Sequence, residues 1–303
     1  MHQHHPHGTG KVLKWSSAAT LAFVAFEVFA GIRSGSLSLL SDSGHNFTDA
    51  LALILAAFAS YLQFKPADDV KTFGYHRAGV LAAFVNALTL VAIALYIFWE
   101  AAHRLIHPVP VESGIMLVVA AMALVLNGVI MLILNRDKDD LNVRAAFIHM
   151  LGDAVSSVAI IAGALLIRWT GWQQIDPILS ILIGVMIIWA AWDIIKESLN
   201  VLLEGLPRGL KLGGVIESMQ CIDGVLDVHD LHIWSLGSSA HALSCHVLID
   251  DMPPSASDAI LKRINDVLCR FHIYHSTIQF EHAKCALSDM PCHIPVRHSG
   301  HNH

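Results

Sequence analysis

Charge is scarce in this sequence. Only 15% of its 303 residues are Asp, Glu, Lys or Arg, against about 25% in a typical soluble domain, which argues against an ordinary water-soluble enzyme. No excess of positive charge is present either. The 19 Lys and Arg stand against 25 Asp and Glu, a formal net charge of -6, so the basic footprint of a nucleic-acid binder is missing. Cysteine is absent before Cys221. The five present (Cys221, Cys245, Cys269, Cys285, Cys292) are odd in number and do not read as a disulfide framework, which suits a reducing cytosol. The first apolar run follows Lys11 and Lys14 without a small-residue cleavage signature and reads as a retained span rather than a leader. With 54% hydrophobic residues, disorder is excluded as well. Histidine, by contrast, is abundant. The chain has 20, about three times the usual share, and together with the low charge this points to metal handled in a membrane.

A membrane-crossing helix needs about 20 apolar residues. Six such runs are separated by short polar breaks, at residues 13–32, 37–64, 78–102, 113–134, 143–169 and 176–198. The expected class is therefore an α-helical membrane protein with six transmembrane helices embedded in a lipid bilayer. Eleven Lys and Arg flank one side (Lys11, Lys14, Lys65, Lys71, Arg77, Arg136, Lys138, Arg144, Lys196, Arg208, Lys211), and three (Arg33, Arg104, Arg168) flank the other. Positive charge favours the cytosolic side, so both termini are expected in the cytosol.

After Gly205 the composition becomes water-compatible. Residues 210–220 read as a helix, 224–236 and 240–249 as strands, 255–271 as a helix and 276–281 as a last strand. That order predicts a small cytosolic α+β domain of ferredoxin-like type. The expected organisation is a His-rich tail at 1–10, a transmembrane domain at 11–204, the cytosolic domain at 205–284 and a Cys/His-containing tail at 285–303. The tails read as disordered and, at most, as weak metal collectors.

Ionisable residues inside spans are costly, about 2.5–3.5 kcal/mol each on insertion scales, and function is the first explanation to examine. The second run holds His45 and Asp49, and the fifth holds His149 and Asp153. At i and i+4, the two side chains of each pair share one helix face. A rise of 1.5 Å per residue puts Asp49 and Asp153 about 18 and 15 Å into a core of about 30 Å. Two imidazoles and two carboxylates at one depth make a four-ligand set suited to Zn2+ rather than to Mg2+ or Ca2+. Asp42 reads either as a vestibule group or as a satisfied polar residue, and Asn86 and Asn127 as interhelical hydrogen-bonding groups. Asp176-Pro177 reads as an N-cap with proline at the first helical position, and Trp234 as a core residue.

These motifs, with Asp176-Pro-Ile-Leu-Ser180 and His229-Asp-Leu-His-Ile-Trp234, resemble those of the cation diffusion facilitator family, in its bacterial zinc-exporting branch. The resemblance runs from about Lys11 to Lys284. It implies a homodimer of the cell inner membrane that exports Zn2+, and often Cd2+ or Co2+, in exchange for protons through His45, Asp49, His149 and Asp153. Independently of the resemblance, imidazole and carboxylate bind metal only when deprotonated, so metal and protons compete for the same groups.

The resemblance also implies a regulatory metal site at His229, His246 and Glu281, which fall on the three expected strands. His232 is a further candidate, although a three-residue offset along a regular strand would turn it to the opposite face from His229. Cys285 and Cys292 are candidate additional ligands without a tight CxxC spacing. Arg77 and Glu204 match positions that pair charges near the family's dimer interface, and a plain surface role is the alternative. The loop after the second span departs from the pattern. Lys71 and Tyr75 stand where relatives with an additional metal site carry histidines, leaving Asp68 as the match, and that site is expected to be absent. Two other functions compete: a passive or inward divalent-cation transporter with the same ligands, and a membrane metalloenzyme. The second lacks an HExxH general base and an open metal position.

Overall fold

The computed structural model describes residues 9–63, 65–134, 141–237 and 240–283. Six long helices come first: α1 (Thr9–Ser34), α2 (Leu37–Gln63), α3 (Ala78–Ile106), α4 (Ser113–Leu134), α5 (Leu141–Thr170) and α6 (Ile175–Leu202). They are followed by α7 (Leu212–Gln220), β1 (Asp227–Ser235), β2 (His241–Leu248), α8 (Pro254–Cys269) and β3 (Ile273–Glu281). The chain divides into two compact units, residues 1–58 with 82–196, and residues 59–81 with 197–303.

In the first unit, Ala30, Leu39, Ala87, Leu90, Ala94, Met116, Ala120, Ile160, Ala164 and Ile183 are among the buried side chains of one core. The many alanines reflect the environment. Lipid is as apolar as leucine, so helices associate by close approach over small residues rather than by hiding large ones. Gly184 on α6 serves the same end, since a Cβ there would stand 2.5 Å from Phe98 Cε1 of α3. Large apolar residues project outward instead, with Trp169 83% and Leu132 71% exposed. Gly35 makes the turn between α1 and α2 with φ of +71°, a conformation open to glycine at little cost.

Among the described residues, four stretches are long and apolar enough to cross a membrane: Ala78–Ile106, Ser113–Leu132, Met150–Thr170 and Ile175–Leu202. The other two expected spans form as helices of 26 and 27 residues, about 40 Å at 1.5 Å per residue. Helix α2 carries Asp42, His45, Asn46 and Asp49 together with several serines, and α1 carries Lys11, Lys14 and Glu27.

In the second unit, β1 pairs antiparallel with β2, and β2 pairs parallel with β3. The parallel pair is joined through α8, as a parallel connection requires a crossover. Val215 and Met219 of α7 and Ile260, Ile264 and Leu268 of α8 pack with Val228, Ile233, Leu243, Cys245 and Val247 of the sheet. One sheet face is thus covered by helices, and the alternate residues, including His246 and Ser244, project from the other. The result is a small α+β domain.

Candidate metal-binding sites

In the helical unit, the i, i+4 spacing on α2 puts His45 Nε2 3.5 Å from Asp49 Oδ2. The same nitrogen lies 3.5 Å from Asp153 Oδ1 of α5. Metal bonds of about 2.0–2.2 Å place the ligand atoms of a tetrahedral shell about 3.3–3.6 Å apart, so His45 stands at ligand spacing from each of the two carboxylates in turn. His149 stands on α5 one turn before Asp153, and its side chain lies outside the described residues.

Further acidic groups surround this cluster. Asp42 is buried, 4% exposed, and accepts a hydrogen bond from Ser156 Oγ of α5 at 2.6 Å, which makes it a satisfied polar residue. Glu27 of α1 is fully buried; its Oε2 accepts from Asn46 Nδ2 at 3.0 Å, and Oε1 has no hydrogen-bond partner among the described residues. Sequence reasoning passed over Glu27. A single acid in an otherwise apolar stretch of α1 was the available signal. Asn86 is buried, but its Oδ1 makes no hydrogen bond among the described residues, so the interhelical bond expected of it is not made through that atom. Asn127 is half-buried on α4.

Asp176 does something other than expected. Helix α6 already begins at Ile175, and the Asp176 carboxylate serves a different helix. Its Oδ2 accepts the Leu37 N–H at 2.6 Å, and its Oδ1 accepts the Ser38 N–H at 3.2 Å, the Ser38 hydroxyl at 2.6 Å and the Ser36 hydroxyl at 2.7 Å. The first N–H groups of a helix have no partner within it, and here an acid from α6 supplies one for α2.

In the second unit, His229 lies directly opposite His246 in the β1–β2 register, and Glu281 pairs with Leu248, two residues beyond His246 on the same face. His229 Nε2 is 3.2 Å from Glu281 Oε2, and His246 Nδ1 is 3.0 Å from Glu281 Oε1. The two rings meet edge to face with centroids 5.5 Å apart. His229 Nε2 and Glu281 Oε2 are buried without a hydrogen-bond partner among the described residues. Buried polar atoms normally have partners; ones that face each other at ligand spacing fit a metal ion.

The expected reversal between His229 and His232 does not occur. A bulge between them advances β1 by three residues while β2 moves by two, so His232 falls opposite Ser244 and projects from the same face as His229. Asp230, at the bulge with φ of +50°, takes up His232 instead: His232 Nε2 lies 3.2 Å from Asp230 Oδ1, and His246 Nε2 lies 3.8 Å from Asp230 Oδ2. His232 is thus not part of the group of three. Asp230 was not foreseen, because a bulge cannot be read from alternation. Trp234 shares the open face with His232 and is half-buried against a cavity of about 1020 Å³ that Arg77, Glu204 and His232 also line. That placement corrects the reading of Trp234 as core. Cys285 and Cys292 lie outside the described residues, as do the His-rich tails.

In the loop of this unit, Asp68 Oδ1 accepts the N–H groups of Val70 and Lys71 at 2.9 and 2.6 Å, and Oδ2 accepts the Tyr75 hydroxyl at 3.0 Å. The backbone bonds, that of Lys71 first, hold its carboxyl below the usual range, while the Asp68 bond raises the Tyr75 phenol. Arg77 NH2 donates to Glu204 Oε1 at 3.2 Å and to the Ser235 carbonyl at 3.3 Å.

A helical membrane unit with imidazole and carboxylates gathered across two helices, joined to an α+β unit with its own His/Glu cluster, defines a cation transporter rather than an enzyme. Residues 13–203 match the cation efflux transmembrane domain, and residues 207–283 match the cytoplasmic domain of cation efflux proteins. The chain belongs to the cation efflux family, also called cation diffusion facilitators. It is 40% identical over 296 residues to the metal cation efflux system protein CzcD of Cupriavidus metallidurans, covering 97% of this chain and 93% of that protein. It is 41% identical over 295 residues to the zinc transporter ZitB of Escherichia coli strain K12, covering 96% and 93%. Over 284 residues it is 36% identical to a cadmium, cobalt and zinc/H(+)-K(+) antiporter of Bacillus subtilis strain 168, covering 92% and 91%.

Proposed function

We propose that the chain exports Zn2+ from the cytosol, with Cd2+ and Co2+ as further substrates, through a site formed by His45, Asp49, His149 and Asp153, and that protons are the counter-ion. The observation that carries the reading is the position of His45 Nε2, 3.5 Å from carboxylate oxygens on two different helices. Neutral imidazole and ionised carboxylate are the forms that bind metal, so each ion loaded displaces protons and each proton taken up favours release. Borderline cations tolerate a shell of two nitrogens and two oxygens, and harder ones favour an all-oxygen shell. The relatives, a zinc transporter and a cadmium, cobalt and zinc antiporter with protons and potassium, support the same assignment.

The wider reading has the chain as an inner-membrane homodimer with six spans, both termini in the cytosol, and a ferredoxin-like C-terminal domain over residues 205–284. His229, His246 and Glu281 would hold a regulatory Zn2+, which would cross-link β1, β2 and β3 at that edge. Arg77 and Glu204 pair within the chain and stand near the proposed dimer contact. Passive leakage or import through the same ligands is the competing transport reading.

The test is flux in proteoliposomes with a panel of divalent ions, with and without a pH gradient, for wild type and Asp49→Ala. Antiport predicts Zn2+ flux that follows the imposed proton gradient and is lost in the variant. Wild-type flux in Asp49→Ala would remove the proposed site, and flux indifferent to the gradient would remove proton coupling.

A further inference from the structure

His103 and His107 lie outside every cluster described so far. They sit at i and i+4 at the end of α3, where helical geometry continues one step past Ile106: the His107 N–H still donates to the His103 carbonyl at 2.9 Å. Both residues are exposed. Their ring centroids are 5.1 Å apart, with the planes inclined by 50°.

That separation matches what one shared ion would require. An imidazole bound through one nitrogen at about 2.05 Å puts its ring centre about 3.2 Å from the ion, and a tetrahedral angle then separates two ring centres by about 5.2 Å. The rings of His229 and His246, themselves proposed ligands, stand at a similar 5.5 Å between centroids. Two histidines one turn apart on a helix are also a recognised way of presenting a pair of metal ligands. The neighbouring positive charge is already engaged, since Arg104 donates through Nε to Glu100 at 2.7 Å and through NH1 to the Gly35 carbonyl at 2.5 Å. With imidazole as the sole protein donor and water completing the shell, the matching ions are the borderline cations Zn2+, Cu2+ and Ni2+, not Mg2+ or Ca2+.

We propose that His103 and His107 form a two-imidazole chelate for a borderline divalent cation at the end of α3. On the orientation proposed above, this end faces the compartment into which ions leave, so a released ion would meet a second and weaker pair of ligands there; the binding itself does not depend on that orientation.

Copper(II)–iminodiacetate tests the chelate, because the small ligand fills three copper positions and stable uptake then needs two adjacent imidazoles. The complex is titrated into the full-length protein in detergent, and copper bound to two imidazoles is counted per chain by electron paramagnetic resonance. His103→Ala and His107→Ala should each lower the count by one equivalent relative to wild type, while Leu105→Ala leaves it unchanged. Counts equal to wild type in either histidine variant would overturn the proposal. The measurement involves no transport, so failure of the chelate and failure of the export reading are separately visible.

Discussion

Asp176 and Ser38 are joined twice: one carboxylate oxygen of Asp176 receives both the backbone N–H and the hydroxyl of Ser38, at 3.2 and 2.6 Å. The residues are 138 positions apart, and the bond makes the start of α6 part of the start of α2.

Removing that carboxylate exposes its cost. In Asp176→Ala the N–H groups of Leu37 and Ser38 and the hydroxyls of Ser36 and Ser38 lose their common acceptor in a buried setting, and hydrogen bonds to a charged group contribute about 1.5–3 kcal/mol each. The variant should therefore lose roughly 3 kcal/mol or more, read as a lower midpoint in a thermal melt of the detergent-purified protein. Asp176→Asn, which keeps one oxygen acceptor, should fall between the variant and wild type. Equal midpoints for Asp176→Ala and wild type would contradict the capping role.

The His229, His246 and Glu281 cluster yields a metal-dependence prediction. An ion that binds only the folded state stabilises it by about 2.7 kcal/mol at 100 times its Kd. Zn2+ should raise the melting midpoint of the wild-type chain, and a chelator should reverse the rise. His246→Ala should bind one fewer Zn2+ per chain by equilibrium dialysis and lose that part of the rise. An unchanged stoichiometry would show that the three residues do not hold an ion.

Thiol reactivity separates three cysteines. Burial pushes the Cys245 thiol up to about 12, whereas Cys221 and Cys269 are exposed. Since the thiolate is the nucleophile, at pH 8 only about one Cys245 in ten thousand is reactive, and access is blocked as well. Raising the pH toward 12 increases the thiolate fraction, so the sign is toward faster alkylation in base. Peptide mapping after N-ethylmaleimide treatment of the native chain should show Cys221 and Cys269 modified and Cys245 spared until denaturant is added.

Gly184 tests the packing of α6 on α3. Its missing side chain admits Phe98, and Gly184→Val forces that ring to move. Overpacking of this kind costs about 1–3 kcal/mol. A lower melting midpoint in Gly184→Val, recovered in part by combining it with Phe98→Ala, is the expected result; an unchanged midpoint would mean that the two helices can part without loss.

Local patterns were legible in the sequence, and contacts between distant elements were not. His45 and Asp49 could be paired because four residues is one helical turn, and the strands bearing His229, His246 and Glu281 could be placed from alternation and turn residues. The terminal positions shifted by a few residues, as with β3, which begins at Ile273 rather than 276. What escaped was non-local or irregular. Nothing near Asp176 in the sequence reveals that its acceptors serve α2. The Ser156–Asp42 bond depends on how α5 lies against α2. The bulge at Asp230 adds one residue that no periodicity announces, and it reversed the expected face of His232. Glu27 was visible as an isolated acid in α1, but only packing shows that it meets Asn46.

The Asp176 cap makes α2 a lever. Its fulcrum is at Ser38, and Asp49 is eleven residues further on, about 16 Å away at 1.5 Å per residue. Any tilt about that fulcrum is magnified with distance. Ten degrees carries Asp49 through about 3 Å and His45, seven residues out, through about 2 Å, displacements comparable with the 3.5 Å that separates His45 from Asp153. The shape of the ligand cluster is therefore a direct gauge of the angle of one helix.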